Sequence, residues 1–134
     1  MNILEQIVAT KRVEVAKAKE QVSMAGLEKR GYFGRACHSL AMSLIQPATT
    51  GIIAEFKRKS PSKGIINDRL GVDEVTRAYV AAGAACLSVL TDEGYFGGTA
   101  ADFDLARRTN PNTPMLRKDF MVDEYQIVEA KSMG

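Results

Sequence analysis

The sequence predicts an α/β fold, in which parallel strands are joined by right-handed helical crossovers and preceded by helices. Three observations support this. From residue 51 onward, short apolar runs alternate three times with stretches of helical period. The apolar runs, GIIAEF, ACLSVLT and PMLRKDF, are bounded by glycine, proline or charge. Before residue 51 no segment reads as a strand. The expected organisation is therefore a helical extension over residues 1–50 and three β/α units over residues 51–134.

Residues 2–22 carry Leu4, Val8, Val15, Ala18 and Val22 near one helical face, with Lys11, Glu14, Lys17 and Glu20 elsewhere and Asn2 placed to cap. Glycines 26, 31 and 34 interrupt any long helix, and a second helix is expected over 35–45, ending before Pro47. GIIAEF is the first strand. VDEVTRAYVAAGA is a helix, with Asp73 near its start and Gly83 as its stop. ACLSVLT is the second strand, and residues 100–108 form a helix closed by NPNTP. PMLRKDF is the third strand, and VDEYQIVEAKSMG the last helix, with Asp123 as N-cap and Gly134 at its C-terminal end.

A chain of 134 residues with 46% hydrophobic and 25% charged residues is an ordinary globular protein. A net charge of +2 is too small to imply a nucleic-acid partner, so attraction for anions must come from local placement of charge. Cys37 and Cys86 form no ligand set and read as small buried residues. The first residues are not a signal peptide, and no run approaches the roughly 18 apolar residues of a membrane span. The expected location is the cytoplasm.

Two folds fit the alternation: an open doubly wound sheet and part of a (β/α)8 barrel. The first strand is followed by KRKSPSKG rather than GxGxxG, which removes the main support for a dinucleotide fold. In either fold, functional groups gather at the carboxyl ends of the strands, and three stretches stand there. In EFK, Glu55 and Lys57 share a face with Ile53, while Ala54 and Phe56 point toward the helices. The pair is either an oriented catalytic cation or a rim salt bridge. LTDEGYFGGT is either a loop covering a ligand or a tight turn whose aromatics pack on the fold. In LRKDF, Lys118 shares parity with Leu116. With Leu116 in the core, Lys118 emerges partly desolvated and suited to acid chemistry, while Asp119 caps or pairs locally. His38 falls in the second expected helix as a packing or surface residue. KRKSPSK is too short, and too poor in aromatics, for a nucleic-acid surface.

Together IIAEFKRKSPSKG, LSVLTDEGYFGGTAADF and PMLRKDFMVDEYQIVEAKSMG resemble the indole-3-glycerol phosphate synthase family along essentially the whole chain. The resemblance implies a (β/α)8 barrel preceded by extra helices. It also implies conversion of 1-(2-carboxyphenylamino)-1-deoxyribulose 5-phosphate to indole-3-glycerol phosphate with loss of CO2 and water, without metal or organic cofactor. By the same resemblance Lys118 is the general acid at the substrate carbonyl, Lys57 contacts the substrate and shares an acid role, and Glu55 orients these lysines. Ser60 lies on the substrate side of the first loop, and Leu90, Phe96 and Phe120 surround the anilino ring.

A (β/α)8 barrel takes roughly 250 residues. The sequence is therefore expected to be the amino-terminal half, inactive alone, and to self-associate through unpaired strand edges and an apolar inner face. The alternative is a non-catalytic half-barrel that binds a phosphorylated ligand or serves in assembly.

Overall fold

The computed structural model describes residues 1–134. In chain order its elements are α1 (Ile3–Gln21), α2 (Met24–Glu28), α3 (Leu40–Ile45), β1 (Ile53–Phe56), β2 (Lys59–Ser60), β3 (Gly64–Ile65), α4 (Val72–Ala81), β4 (Cys86–Leu90), α5 (Ala100–Thr109), β5 (Met115–Lys118) and α6 (Tyr125–Ser132). By packing, the chain forms two compact units: Met1–Ala36 with Phe120–Gly134, and Cys37–Asp119. This grouping cuts across the division at residue 50, which follows chain order rather than packing.

The first unit holds α1, α2 and α6. Asn2 accepts from Glu5 N at 2.9 Å while Glu5 Oε2 accepts from Asn2 N at 3.0 Å, a reciprocal box that satisfies two backbone donors at the start of α1. Val15, Leu27 and Tyr125 form a buried cluster, flanked by Ala18, Val22, Val122 and Val128. Tyr125 Oη donates to the carbonyls of Ala18 (3.2 Å) and Val22 (2.7 Å) at the C-terminal end of α1, where the Ala18 carbonyl also accepts from Val22 N at 2.9 Å. The buried face of α1 runs through Ile7, Lys11 and Val15 at i, i+4 and i+8, so it is turned from the expected stripe: Leu4 is exposed and Lys11 is buried. Lys11 reaches forward to Glu14 Oε2 at 2.6 Å, keeping its ammonium paired while its stem is covered. The N-cap position of the last helix falls at Glu124, which makes no side-chain cap hydrogen bond, while Asp123, one residue earlier, accepts from Tyr125 N through Oδ1 at 2.8 Å.

The second unit is built on a three-stranded parallel sheet of order β1-β4-β5. Its register pairs Glu55 with Ser88, Ser88 with Leu116 and Leu90 with Lys118. One face therefore carries Phe56, Leu87 and Val89, all buried. Here α4 packs on β1 and β4, and α5 packs on β4 and α4. Each such side chain contributes about 1.5–3 kcal/mol by leaving water. A buried polar tie joins the two helices: Asn110 Nδ2 donates to Thr76 Oγ1 at 2.9 Å. Gly83 follows α4 with φ +99°, the left-handed conformation expected of a helix-ending glycine.

The opposite face carries Ile53, Glu55, Cys86, Ser88, Leu90, Leu116 and Lys118. At its amino-terminal end Cys86 Sγ donates to Leu40 O at 3.6 Å and Ser43 Oγ donates to Ala85 O at 2.7 Å, so α3 covers that end. Burial pushes the Cys86 thiol above its ordinary value. Cys37, expected to be buried, is exposed. The second helix is shorter than expected because Ser39 caps it, accepting from Met42 N at 3.1 Å. His38 consequently lies outside the helix, and it is exposed.

Candidate active site

The carboxyl ends of β1, β4 and β5 bring four of the expected residues to one face. Glu55 and Lys57 stand at the end of β1, with Lys57 Nζ 3.5 Å from Glu55 Oε1, each side chain about a third exposed. Extending the β1–β4 register by one residue sets Lys57 opposite Leu90, and Leu90 pairs with Lys118. Lys57, Leu90 and Lys118 thus form a row across the three strands. The two lysines are about 10 Å apart at Cα, twice the strand spacing.

Both lysines are half-open or open to solvent. Lys118 is exposed, and Leu116 beneath it is 41% exposed, so the expected partial desolvation of Lys118 is absent. The physical reason is that Ile53 and Leu116 meet no opposing apolar layer beyond the end covered by α3. The one ion pair of Glu55 is with Lys57, and Lys118 has no ion-pair partner. Asp119 pairs locally, as the strand parity suggests: it accepts from Thr91 Oγ1 at 2.6 Å and lies 3.6 Å from Arg117 NH2.

Two loops stand beside this row. The first contains a short antiparallel hairpin, β2 with β3, that no sequence pattern announces. Ser60 is buried in it, its Oγ accepting from Lys63 N at 3.2 Å and lying 3.4 Å from Ser62 Oγ. The second loop is a tight turn built on buried Asp92, whose Oδ1 accepts from Tyr95 N and Phe96 N at 2.9 and 3.3 Å. The loops meet where Lys59 N donates to Phe96 O at 3.3 Å, and the Phe96 side chain is half-buried. Phe120 belongs to the first unit, where its carbonyl accepts from Gln126 Nε2 at 2.9 Å.

The basic run is divided among separate partners. Arg58 leaves the lysine row, lies 5.0 Å over the Phe56 ring, and forks onto Asp102 in the first turn of α5. The Asp102 hydrogen bond raises the Arg58 pKa further above its ordinary value.

Sequence reasoning missed Ser88, Asp92 and Asp102. Ser88 had a readable signal, a hydroxyl within an apolar strand at the parity of Leu90. Its Oγ donates to Glu55 Oε2 at 2.9 Å. Tyr79 Oη, from α4, donates to the Glu55 carbonyl at 3.0 Å, which fixes the backbone beneath the carboxylate.

Comparison with known proteins matches the sequence to one family. The family model described as indole-3-glycerol phosphate synthase matches residues 4–134. Proteins named indole-3-glycerol phosphate synthase from Bacteroides thetaiotaomicron, Laribacter hongkongensis and Rhodospirillum rubrum are 44%, 46% and 46% identical over 99% of this chain. The chain spans about half the length of these curated relatives, 50%, 51% and 51% respectively. With three parallel strands, crossover helices on one face and charged strand ends, the chain is an open segment of a (β/α)8 barrel and belongs to the indole-3-glycerol phosphate synthase family.

Proposed function

We propose that this chain is the amino-terminal half of an indole-3-glycerol phosphate synthase, a cytoplasmic lyase of tryptophan biosynthesis. The reaction closes the indole ring of 1-(2-carboxyphenylamino)-1-deoxyribulose 5-phosphate with loss of CO2 and water. The observation that carries this reading is the row of Lys57, Leu90 and Lys118 on one face, with Glu55 3.5 Å from Lys57.

The chemistry follows from those side chains. The substrate bears a carboxylate and a phosphate, and two cations at a strand rim attract it. As the ring carbon attacks the carbonyl, negative charge grows on the carbonyl oxygen. Lys118, an ammonium with no competing carboxylate, delivers the proton there. Glu55 holds Lys57 toward the same rim as a second donor and substrate contact. Leu90 and Phe96 supply apolar surface to the anilino ring, and Ser60 lines the substrate side of the first loop. Positioning of this kind lowers the entropic part of the barrier.

Because β1 and β5 each have a single neighbouring strand and Ile52, Ile53 and Leu116 are exposed, the chain in isolation self-associates through this surface. Light scattering at micromolar concentration reports an assembly; a clean monomer counts against it. The catalytic reading is tested by mixing the chain with the complementary half of a relative and following indole fluorescence. Activity returns on mixing and falls about 10²- to 10⁴-fold with Lys118→Ala. Assembly without turnover, or turnover indifferent to Lys118→Ala, rejects the proposal.

A further inference from the structure

Glu55 carries two carboxylate oxygens and divides them. Oε1 faces Lys57 Nζ at 3.5 Å, a loose ion-pair distance, while Oε2 accepts the Ser88 hydroxyl at 2.9 Å, the tighter contact. Ser88 sits in the middle of β4 at 2% exposure, directly opposite Glu55 in the register. A hydroxyl buried inside the run Cys86–Leu90 costs free energy unless it is hydrogen-bonded, and the Glu55 carboxylate is the partner it finds.

We infer that Ser88 is a positioning residue for the proposed reaction: it clamps one oxygen of Glu55 so that the other is aimed at Lys57. The inference rests on the catalytic reading of Glu55 and Lys57 given above. The geometry makes it specific. Lys57 is a flexible ammonium on a four-carbon stem, and a 3.5 Å contact alone orients it weakly. Fixing Glu55 from three sides changes that. The Tyr79 hydroxyl holds its carbonyl, the Ser88 hydroxyl holds Oε2, and the ladder between β1 and β4 holds its backbone. The only freedom left to the carboxylate is rotation about its own last bonds, and the hydrogen bond from Ser88 removes it. Removing the hydroxyl leaves the strand and its register in place but lets the carboxylate swing toward water, taking Lys57 with it.

The experiment has an arm for each premise. In enzyme reconstituted from this chain and a complementary half, Ser88→Ala lowers kcat about ten- to a hundredfold, the effect of one charge-assisted hydrogen bond, with KM changed less than about twofold. Glu55→Gln alone and the Ser88→Ala, Glu55→Gln double variant lose activity equally, because Ser88 acts through Glu55. Ser88→Thr, which keeps the hydroxyl, retains most of kcat. Ser88→Cys, similar in volume and a weak donor, behaves like Ser88→Ala. Additive losses, or full activity in Ser88→Ala while Lys118→Ala is dead, overturn the positioning role and leave the catalytic reading standing. Activity indifferent to Lys118→Ala overturns the catalytic reading itself. A second readout needs no turnover. Three-bond NMR couplings along the Glu55 side chain, measured on this chain alone, report a single rotamer in the wild type and averaging in Ser88→Ala and Ser88→Cys. Averaging in the wild type, or an unchanged rotamer in both variants, overturns the inference.

Discussion

Arg58 grips Asp102 through both prongs of its guanidinium, with Nε 3.1 Å from Oδ2 and NH2 2.7 Å from Oδ1. Arg58, two residues past the end of β1, is thereby tied to the first turn of α5. The tie extends further, because the Arg58 carbonyl accepts from Ile66 N and Asn67 N at 2.7 and 2.9 Å. One residue therefore fastens both ends of the first loop.

Asp102→Ala is expected to destabilise the chain by about 1–2 kcal/mol, a value already reduced for the partial exposure of Arg58. Arg58→Lys should lose nearly as much, since a single ammonium cannot reproduce the two-pronged contact or stack on Phe56 in the same way. Urea unfolding of both variants checks this. Equal stability of Arg58→Lys and wild type would mean that the fork geometry is not what matters.

Gly98 offers a steric prediction. A Cβ at this position would lie 2.0 Å from Leu90 O and 2.4 Å from Leu90 C, both backbone atoms that cannot step aside without moving the end of β4. Gly98→Ala is therefore expected to cost about 3 kcal/mol or more, in the range of overpacked cores. Gly94→Ala, in the same loop, meets nothing within 4 Å and has no positive φ, and should be close to neutral. A pair of urea melts decides it: similar midpoints for the two variants would show that the loop can slide away from β4.

Much of this architecture was legible locally. The cap at Asn2, the parity of Glu55 against Phe56 and the stop at Gly83 are each encoded within a few neighbouring residues, so a linear reading finds them. What escaped depends on distant partners. Gly26 reads as a breaker, yet α2 forms around it because Ser23 caps the turn, accepting from Gly26 N at 3.1 Å, and Leu27 is fully buried. Lys11 looks like a solvent residue until its stem is found covered. The β2–β3 ladder is two residues long, too short for any alternation to appear.

At the candidate site the same division holds. That Lys57 and Lys118 stand at strand ends could be read from the apolar runs before them. That Ser88 serves Glu55, and that Asp102 takes Arg58 out of the basic cluster, could not, because those contacts span 33 and 44 residues and depend on register. The desolvation expected at Lys118 failed for a related reason. It required an apolar neighbour above Leu116, which parity within one strand cannot supply.

Removing the Tyr125 hydroxyl tests the polar seam of the first unit. Tyr125→Phe keeps the ring in the cluster with Val15 and Leu27 but leaves the Ala18 and Val22 carbonyls without this donor. The expected cost is about 1–2 kcal/mol. Tyr125→Ala, which also empties the cluster, should cost about 3–5 kcal/mol. Calorimetry or urea melts separate the two. A Tyr125→Phe variant as stable as wild type would show that water replaces the hydroxyl at the end of α1 without penalty.

Acid should loosen the contact between Lys19 and Asp123. Lys19 Nζ lies 2.6 Å from Asp123 Oδ2, and the pKa of Asp123 falls below its ordinary value of 3.8, chiefly through that hydrogen bond and secondarily through the backbone N–H of Tyr125. A carboxylate with a lowered pKa in the folded chain stabilises that state above its unfolded pKa. The contribution is lost as pH falls through the folded value. The sensitive window therefore begins near pH 4 and runs downward, and nothing from this group changes between pH 5 and 8. Asp123→Asn should be less stable than wild type at neutral pH, and the difference should shrink steadily as pH drops below about 4. High salt should shrink the neutral-pH difference too, because the pair is open to solvent and screened. Denaturation series at several pH values, wild type against Asp123→Asn, measure this directly. A difference that stays constant from pH 7 to pH 3 would assign the loss to the backbone contact with Tyr125, which asparagine can partly keep, rather than to charge.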